Sequence, residues 1–127
     1  MADEGTKILF VDEMGDVGTE YMLAHLLSRE GYAAYFMDFQ SARASMDRED
    51  YRLVIVDPET RLTRREDALA FIKSITKVPV VLYTNRMLHS VEREDGLKMG
   101  DDYDAFLSKD ADFHSEMRRT IDRLVKG

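Results

Sequence analysis

Residues 53–57 read Leu53-Val-Ile-Val-Asp57, four consecutive apolar residues that end in an acid. A run of this kind, without polar alternation, is typical of a strand buried on both faces of a parallel sheet. Four more stretches are short, apolar and bounded by polar or glycine-containing turns. They are residues 7–11, 33–37, 78–83 and 105–108. The sequence therefore predicts five strands, with the second and the fifth resting on the weakest signals.

Apolar residues at helical spacing fill the gaps between these strands. The stripes are Tyr21, Leu23, Leu26 and Leu27, then Ala68, Leu69, Ile72 and Ile75, then Phe113, Met117, Ile121 and Leu124. Shorter helices are predicted at residues 41–47 and 88–99, the latter ended by a left-handed Gly100, and Asp110 or Asp112 is placed to cap the last helix. The expected fold class is α/β: a flavodoxin-like, doubly wound (βα)5 parallel sheet with strand order 2-1-3-4-5, formed by residues 1–127 as one domain.

Composition restricts the classes of function. The chain has 127 residues, of which 44% are hydrophobic and 34% charged, as in globular proteins. It contains no cysteine, so disulfides and thiolate metal sites are excluded. The net charge of −7 disfavours direct binding of nucleic acid, because phosphate backbones repel it. No apolar run is long enough to span a membrane and no leader pattern precedes the first strand, so a cytoplasmic location is expected.

Polar residues follow the predicted strands at their carboxyl ends, where ligands bind in open parallel sheets. They are Asp12 and Glu13 after the first strand, Asp57 after the third, Thr84 after the fourth and Lys109 after the fifth. We expect the three carboxylates to converge and to need a cation, for which oxygen ligands favour Mg²⁺. An aspartate can attack phosphorus, while a lysine and a hydroxyl can stabilise the transferred oxygens. Taken singly, each of these residues could be a helix cap, a turn residue or a surface charge.

The ordered set of strand-end residues resembles the receiver domains of two-component signalling, over residues 7–124. The stretches that carry the resemblance are Ile8-Leu-Phe-Val-Asp-Glu13, Leu53-Val-Ile-Val-Asp57, Val80-Val-Leu-Tyr-Thr84, Gly96-Leu-Lys-Met-Gly100-Asp-Asp102 and Phe106-Leu-Ser-Lys109. The resemblance implies that Asp57 is phosphorylated with the help of Mg²⁺. It also implies metal ligands at Asp12, Glu13, Asp57 and the Glu59 backbone carbonyl, and phosphoryl contacts from Thr84 and Lys109.

The resemblance further implies how such a domain signals. Thr84 and Phe106 would report phosphorylation to the face formed by the fourth helix, the fifth strand and the fifth helix. From the sequence alone, Phe106 is equally well explained as a buried strand aromatic. The phosphoryl donor would be a sensor histidine kinase, a phosphotransfer protein or a small acyl phosphate. The output would be a partner protein or domain, or a homodimer formed through the same face.

Several positions depart from the family pattern. The second acid is Glu13, the segment after Asp57 is strongly charged (Pro58-Glu-Thr-Arg-Leu-Thr-Arg-Arg65), Asp110 stands in place of proline, and residues 101–105 add length. None of these departures removes an essential group. The resemblance implies that Glu59 and Arg86 flank the phosphoryl position, and these two residues and Asn85 are expected to modulate the reaction. If Glu59 pairs with Arg86 across the site, the pair would obstruct the attacking water and prolong the phosphorylated state.

Three other functions compete with a phosphoaccepting switch. A degenerate pseudo-receiver would use the same surface as a phosphorylation-independent interaction module, and the complete acid cluster disfavours it. A small phosphatase or phosphotransferase could use Asp57 as nucleophile and Glu59 as general acid, but no cap domain is evident to enclose a substrate. A nucleotide-binding protein is disfavoured, because the turn Asp12-Glu-Met-Gly-Asp-Val-Gly18 is acidic and lacks a glycine-rich phosphate loop. The expected function is a signalling switch and not an enzyme with an external substrate.

Overall fold

Five strands form one parallel sheet in the computed structural model, which describes residues 5–109 and 113–126. The strands are β1 (Thr6–Val11), β2 (Tyr32–Met37), β3 (Leu53–Val56), β4 (Val80–Thr84) and β5 (Ala105–Ser108). The helices between and after them are α1 (Val17–Ser28), α2 (Phe39–Met46), α3 (Arg65–Ser74), α4 (Leu88–Asp95) and α5 (Phe113–Lys126). The strand order is β2-β1-β3-β4-β5, so the predicted flavodoxin-like topology is confirmed.

Successive side chains of a strand point to opposite faces of the sheet, and helices cover both faces. Leu9 and Val54 lie in the cluster that α2, α3 and α4 cover. Their neighbours Ile8 and Ile55 lie in the opposite cluster, which α1 and α5 cover. Each such side chain contributes roughly 1.5–3 kcal/mol when it is fully buried. This two-sided burial explains why the strands read as unbroken apolar runs.

The fourth helix is shorter than the sequence predicted. It ends at Asp95, because Gly96 takes a left-handed conformation with φ +68°. Gly100, the predicted end, also has a positive φ, but it lies in a turn where its N–H donates to the Tyr103 carbonyl. The predicted fourth helix is present, but its predicted end at residue 99 was wrong because the earlier of the two glycines already ends it.

Aspartate side chains start two of the helices. Asp16 accepts the N–H of Thr19 at the start of α1, and Asp38 accepts the N–H of Ser41 at the start of α2. The Asp38 cap begins α2 two residues before the predicted start. The predicted cap of the last helix, at residue 110 or 112, lies outside the described residues. No helix within the described ranges is both long and apolar enough to cross a membrane.

The register of the sheet places the strand-end residues side by side. β1 pairs with β3 so that Val11 lies opposite Val56, and the next residues along the two strands are Asp12 and Asp57. The N–H of Asp57 donates to the carbonyl of Val11 at 3.0 Å, which holds the two strand ends at one level. β5 ends one residue before Lys109 at the same edge of the sheet. The fold therefore brings residues from distant parts of the sequence to the point where the strand order reverses.

Candidate functional site

Lys109 contacts both aspartates of the site. Its Nζ lies 2.6 Å from Asp12 Oδ2 and 2.8 Å from Asp57 Oδ2. The side chains of Lys109 and Asp57 are 14% and 2% exposed, so their contact is shielded from water. Burial alone would lower the pKa of Lys109, but its hydrogen bonds to the two carboxylates and their negative charges outweigh burial and raise the pKa. The ammonium group therefore stays charged beside Asp57.

Backbone N–H groups orient both aspartates. The N–H of Met14 donates to Asp12 Oδ1 at 2.7 Å, and the N–H of Glu59 donates to Asp57 Oδ1 at 2.9 Å. Each carboxylate thus gives one oxygen to a backbone donor two residues ahead and the other oxygen to Lys109. Because a carboxylate oxygen has about two acceptor sites, both aspartates keep capacity for a further contact.

The carboxylate of Glu13 contacts the β3–α3 loop (residues 57–64). Its Oε1 accepts the N–H groups of Arg61, Leu62 and Thr63 at 2.9, 2.9 and 3.1 Å. Its Oε2 accepts the Thr63 hydroxyl at 2.5 Å and the N–H of Phe39 at 3.4 Å. The predicted convergence of three carboxylates was therefore wrong for the part of the chain that the structure describes, where no three potential metal-ligating side chains come together.

The stability of the cation-free protein is expected to depend on Glu13 in acid. Burial alone would raise the pKa of Glu13, but the Thr63 hydroxyl and the three N–H donors of the loop lower it from 4.5 to about 2. Because the folded-state pKa is the lower one, the stabilisation is present above pH 4.5 and is lost as the pH falls toward 2. It amounts to about 3 kcal/mol in the free energy of unfolding, of which about 2 kcal/mol is lost by pH 3.

Urea unfolding in EDTA at about pH 5.5 and about pH 3 measures this dependence, with Glu13→Gln as the comparison. The parent should lose more stability than Glu13→Gln between the two pH values, because the variant cannot be protonated at this position. Other carboxylates titrate in both proteins, so the difference between the two proteins isolates Glu13. An equal loss in parent and variant would contradict the assignment.

Of the remaining predicted residues, Thr84 ends β4, Asn85 follows it and Phe106 lies within β5. Thr84 is fully buried, and its Oγ1 accepts the N–H of Arg86 at 3.3 Å. Asn85 is exposed and borders a cavity beside Lys109. Phe106 is half-buried and packs against the core cluster on the α4 side of the sheet. Asn85 thus lies beside Lys109, Phe106 packs against the core, and the roles of all three residues stay predictions.

The donor groups left available at the site fit a hard divalent cation. Asp12 and Asp57 both present carboxylate oxygens with remaining acceptor sites. Mg²⁺ is commonly bound through one or two carboxylates and keeps several waters. The two oxygens of Glu13 already accept five hydrogen bonds, and its role as a metal ligand stays a prediction. The geometry therefore provides two carboxylates for a cation where the sequence predicted three.

Known proteins match this chain in structure and not in sequence: no protein-family profile and no curated protein sequence matches it. The receiver domain of a Pseudomonas aeruginosa sensor histidine kinase, solved with magnesium coordinated in its active-site cleft, matches with TM-score 0.74 and 18% identity over 97% of this chain and 99% of that one. The Thermotoga maritima response regulator TrrA, solved with Mg²⁺-BeF, gives 0.71 and 21% over 94% and 98%. The Vibrio cholerae chemotaxis response regulator CheY4 gives 0.72 and 17% over 94% and 98%. The chain has the fold of a response-regulator receiver domain.

Within this receiver fold, Arg86 is held by α4. Its Nη1 lies 2.6 Å from Asp95 Oδ2, and its Nη2 lies 2.7 Å from Glu94 Oε1. Asp95 also pairs with Arg65 at the start of α3. The Asp95 side chain is 1% exposed, so two guanidinium groups, and not water, balance its charge. These contacts join the β4–α4 connection, the start of α3 and the end of α4.

The hypothesised contact between Glu59 and Arg86 is a long one. Glu59 Oε1 lies 3.9 Å from Arg86 Nε, whereas the contacts of Arg86 with Glu94 and Asp95 are more than 1 Å shorter. The pair joins the β3–α3 loop, which begins at Asp57, to the segment after β4. Its effect on the lifetime of a phosphorylated state stays a prediction.

A cavity of about 240 Å³ in the receiver fold borders Lys109 and includes a carboxylate that the sequence analysis missed. Glu20, in the first turn of α1, lines this cavity together with Asp12 and Asp16. Burial and the charges of these two aspartates raise the pKa of Glu20, although Lys109 acts in the opposite direction. The sequence did hold a signal for Glu20, because the first turn of the helix after β1 lies near the carboxyl end of that strand.

Proposed function

We propose that residues 1–127 form a single receiver domain that accepts a phosphoryl group on Asp57. The observation that carries the proposal is the contact of one lysine ammonium with two strand-end aspartates in a receiver fold. Asp57 is nearly buried, and the N–H of Glu59 orients its carboxylate. A carboxylate that is oriented in this way and lies beside a fixed positive charge is suited to nucleophilic attack on phosphorus.

In the proposed reaction, a carboxylate oxygen of Asp57 forms a bond to the phosphorus of a phosphohistidine or of a small acyl phosphate. The bond from phosphorus to the donor's nitrogen or oxygen breaks, and the leaving group takes up any proton it needs from water. The Lys109 ammonium is close enough to Asp57 to stabilise the negative phosphoryl oxygens. The Thr84 hydroxyl, which accepts from the N–H of Arg86, has its own proton to donate to them.

Mg²⁺ is the proposed cofactor, and when bound it would neutralise charge on the transferring group. The Pseudomonas receiver domain contains magnesium in its active-site cleft, and TrrA was solved with Mg²⁺-BeF, which supports the choice of ion. We assign its binding to Asp12, Asp57 and the backbone carbonyl of Glu59. Glu13 was expected as a further ligand, but its carboxylate is engaged by the β3–α3 loop.

The proposed partners follow from the proposed reaction. A sensor histidine kinase or a phosphotransfer protein in the cytoplasm would supply the phosphoryl group. An output protein, an output domain or a second copy of the chain would recognise the face formed by α4, β5 and α5. Thr84 and Phe106 would transmit the change to that face, while Glu59, Asn85 and Arg86 would adjust how long the phosphorylated state persists.

Intact-mass spectrometry tests the proposed function. The protein is incubated with acetyl phosphate or phosphoramidate, with Mg²⁺ or with EDTA. We expect a single phosphoryl adduct in the presence of Mg²⁺ and none in EDTA. If neither donor gives an adduct and calorimetry detects no Mg²⁺ binding, the phosphoaccepting function is wrong, and a pseudo-receiver that binds partners without phosphorylation becomes the better account.

A further inference from the structure

The carboxylate of Glu13 connects three elements of the fold. Glu13 directly follows Asp12 at the end of β1, and its residue is only 9% exposed. Its two oxygens accept hydrogen bonds from Arg61, Leu62 and Thr63 in the β3–α3 loop and from Phe39 at the start of α2. We propose that Glu13 is a positioning residue that anchors the β3–α3 loop, and that Asp12 and Asp57 form the cation site without its carboxylate.

The acceptor capacity of Glu13 supports this proposal. A carboxylate has about four acceptor sites, and Glu13 already receives five donors. Binding a metal ion through either oxygen would require donors to leave. The donors of Oε1 are three consecutive backbone N–H groups, which would then need a new acceptor or water. Asp12 and Asp57, in contrast, each receive one backbone donor and one lysine contact.

The composition of the β3–α3 loop explains why it needs an anchor. The loop carries Glu59, Arg61 and Arg64, and the side chains of Arg61 and Leu62 are exposed, so burial in the core does not hold these two residues in place. It begins at Asp57, and the N–H of Glu59 in the same loop donates to the Asp57 carboxylate. Because Glu13 fixes residues 61–63, it restricts the path of the segment that orients Asp57. Glu13 therefore acts on the site through the backbone and does not contact the cation itself.

The test separates a loop anchor from a metal ligand and uses the whole chain. Mg²⁺ affinity is measured by calorimetry for the parent, Glu13→Gln and Asp12→Asn. Glutamine preserves the shape of the side chain but offers one acceptor oxygen in place of two and carries no charge. The cation half of the proposal, that Asp12 and Asp57 bind the ion without Glu13, rests on the proposed function. We expect Asp12→Asn to weaken Mg²⁺ binding by about tenfold or more and Glu13→Gln to change it by less than about threefold.

Amide hydrogen exchange in EDTA reports on the loop independently of any cation. In Glu13→Gln, exchange at residues 61–63 is expected to accelerate by about fivefold or more, because at least one of the donors loses its acceptor. Exchange at Val54 and Leu82, in the central strands, should stay at the parent rate and shows that the variant folds. Glu13→Asp is the second variant: its shorter arm should also lose the loop protection even though the charge is kept.

The outcomes distinguish failure of this proposal from failure of the proposed function. If Glu13→Gln weakens Mg²⁺ binding as much as Asp12→Asn does, Glu13 is a ligand and the cation half is overturned. If exchange at residues 61–63 is unchanged in both Glu13 variants, the anchoring half is overturned. If the parent itself binds no Mg²⁺, the proposed function and the cation half fail together, while the exchange rates still decide the anchoring half.

Discussion

Asp57→Asn is expected to abolish phosphorylation, leaving no adduct in the intact mass after incubation with acetyl phosphate and Mg²⁺. The amide group of asparagine is a far weaker nucleophile than a carboxylate, and the acyl phosphate that the reaction requires cannot form on it. The fold should persist, because Lys109 keeps its 2.6 Å contact with Asp12. A loss of the adduct would therefore report on chemistry and not on unfolding, which circular dichroism of the variant checks.

The matched control for this experiment is Asp47→Asn. Asp47 is an exposed aspartate that follows the last residue of α2, at the opposite edge of the sheet from the strand-end site. The same chemical change at this position should leave the amount of adduct unaltered. An adduct of parent size in Asp57→Asn would place the phosphoacceptor elsewhere, and Asp12, the other aspartate on Lys109, would be the first residue to replace next.

The second large effect is expected from Asp95→Asn, which should lower the free energy of unfolding by about 3 kcal/mol. Asp95 is 1% exposed and pairs with both Arg65 and Arg86, so its replacement removes the main counter-charge of two guanidinium groups. Arg86 is only 17% exposed and cannot recover full hydration. This loss lies at the lower end of the range for broken buried ion pairs, because the Arg65 side chain is half-exposed and can be hydrated. Urea unfolding measures the change.

Glu94→Gln is the control for the Asp95 experiment. Glu94 precedes Asp95, contacts the same Arg86 at 2.7 Å and is 62% exposed. The same carboxylate-to-amide change at an exposed pair should cost less than about 1 kcal/mol. If both variants lose equally little stability, the ion pairs of Asp95 with Arg65 and Arg86 do not stabilise the fold, and Arg86 is held by other contacts.

The topology and the main site residues were predictable because both depend on local pattern. Apolar runs predicted the strands, and the residue after each run marked the edge at which parallel strands end. Asp12, Asp57 and Lys109 were found in this way, and the structure joins all three. The prediction needed no knowledge of side-chain rotamers, since the backbone alone fixes which strand ends are neighbours.

The orientation of the Glu13 side chain toward the β3–α3 loop was not predictable in the same way. Its partners lie 48 to 50 residues ahead in an irregular loop, and nothing in residues 61–63 marks three N–H groups as donors to a distant carboxylate. Asp95 was missed for a related reason: an acid near the end of a helix is usually solvated, and only the arrival of Arg65 and Arg86 makes it a buried charge. Long-range pairing of charged side chains therefore set the limit of the sequence analysis.

The contacts of Lys109 also determine when in folding the site can exist. This residue is separated along the chain from Asp12 by 97 positions and from Asp57 by 52. Because Lys109 directly follows β5, its contacts with the two aspartates require the fifth strand to be part of the sheet. During synthesis the two aspartates emerge long before their counter-charge, and β5 must be in place before Lys109 can reach them. The cluster of Lys109, Asp12 and Asp57 is thus assembled only in the completed sheet, so its formation reports that all five strands are in place.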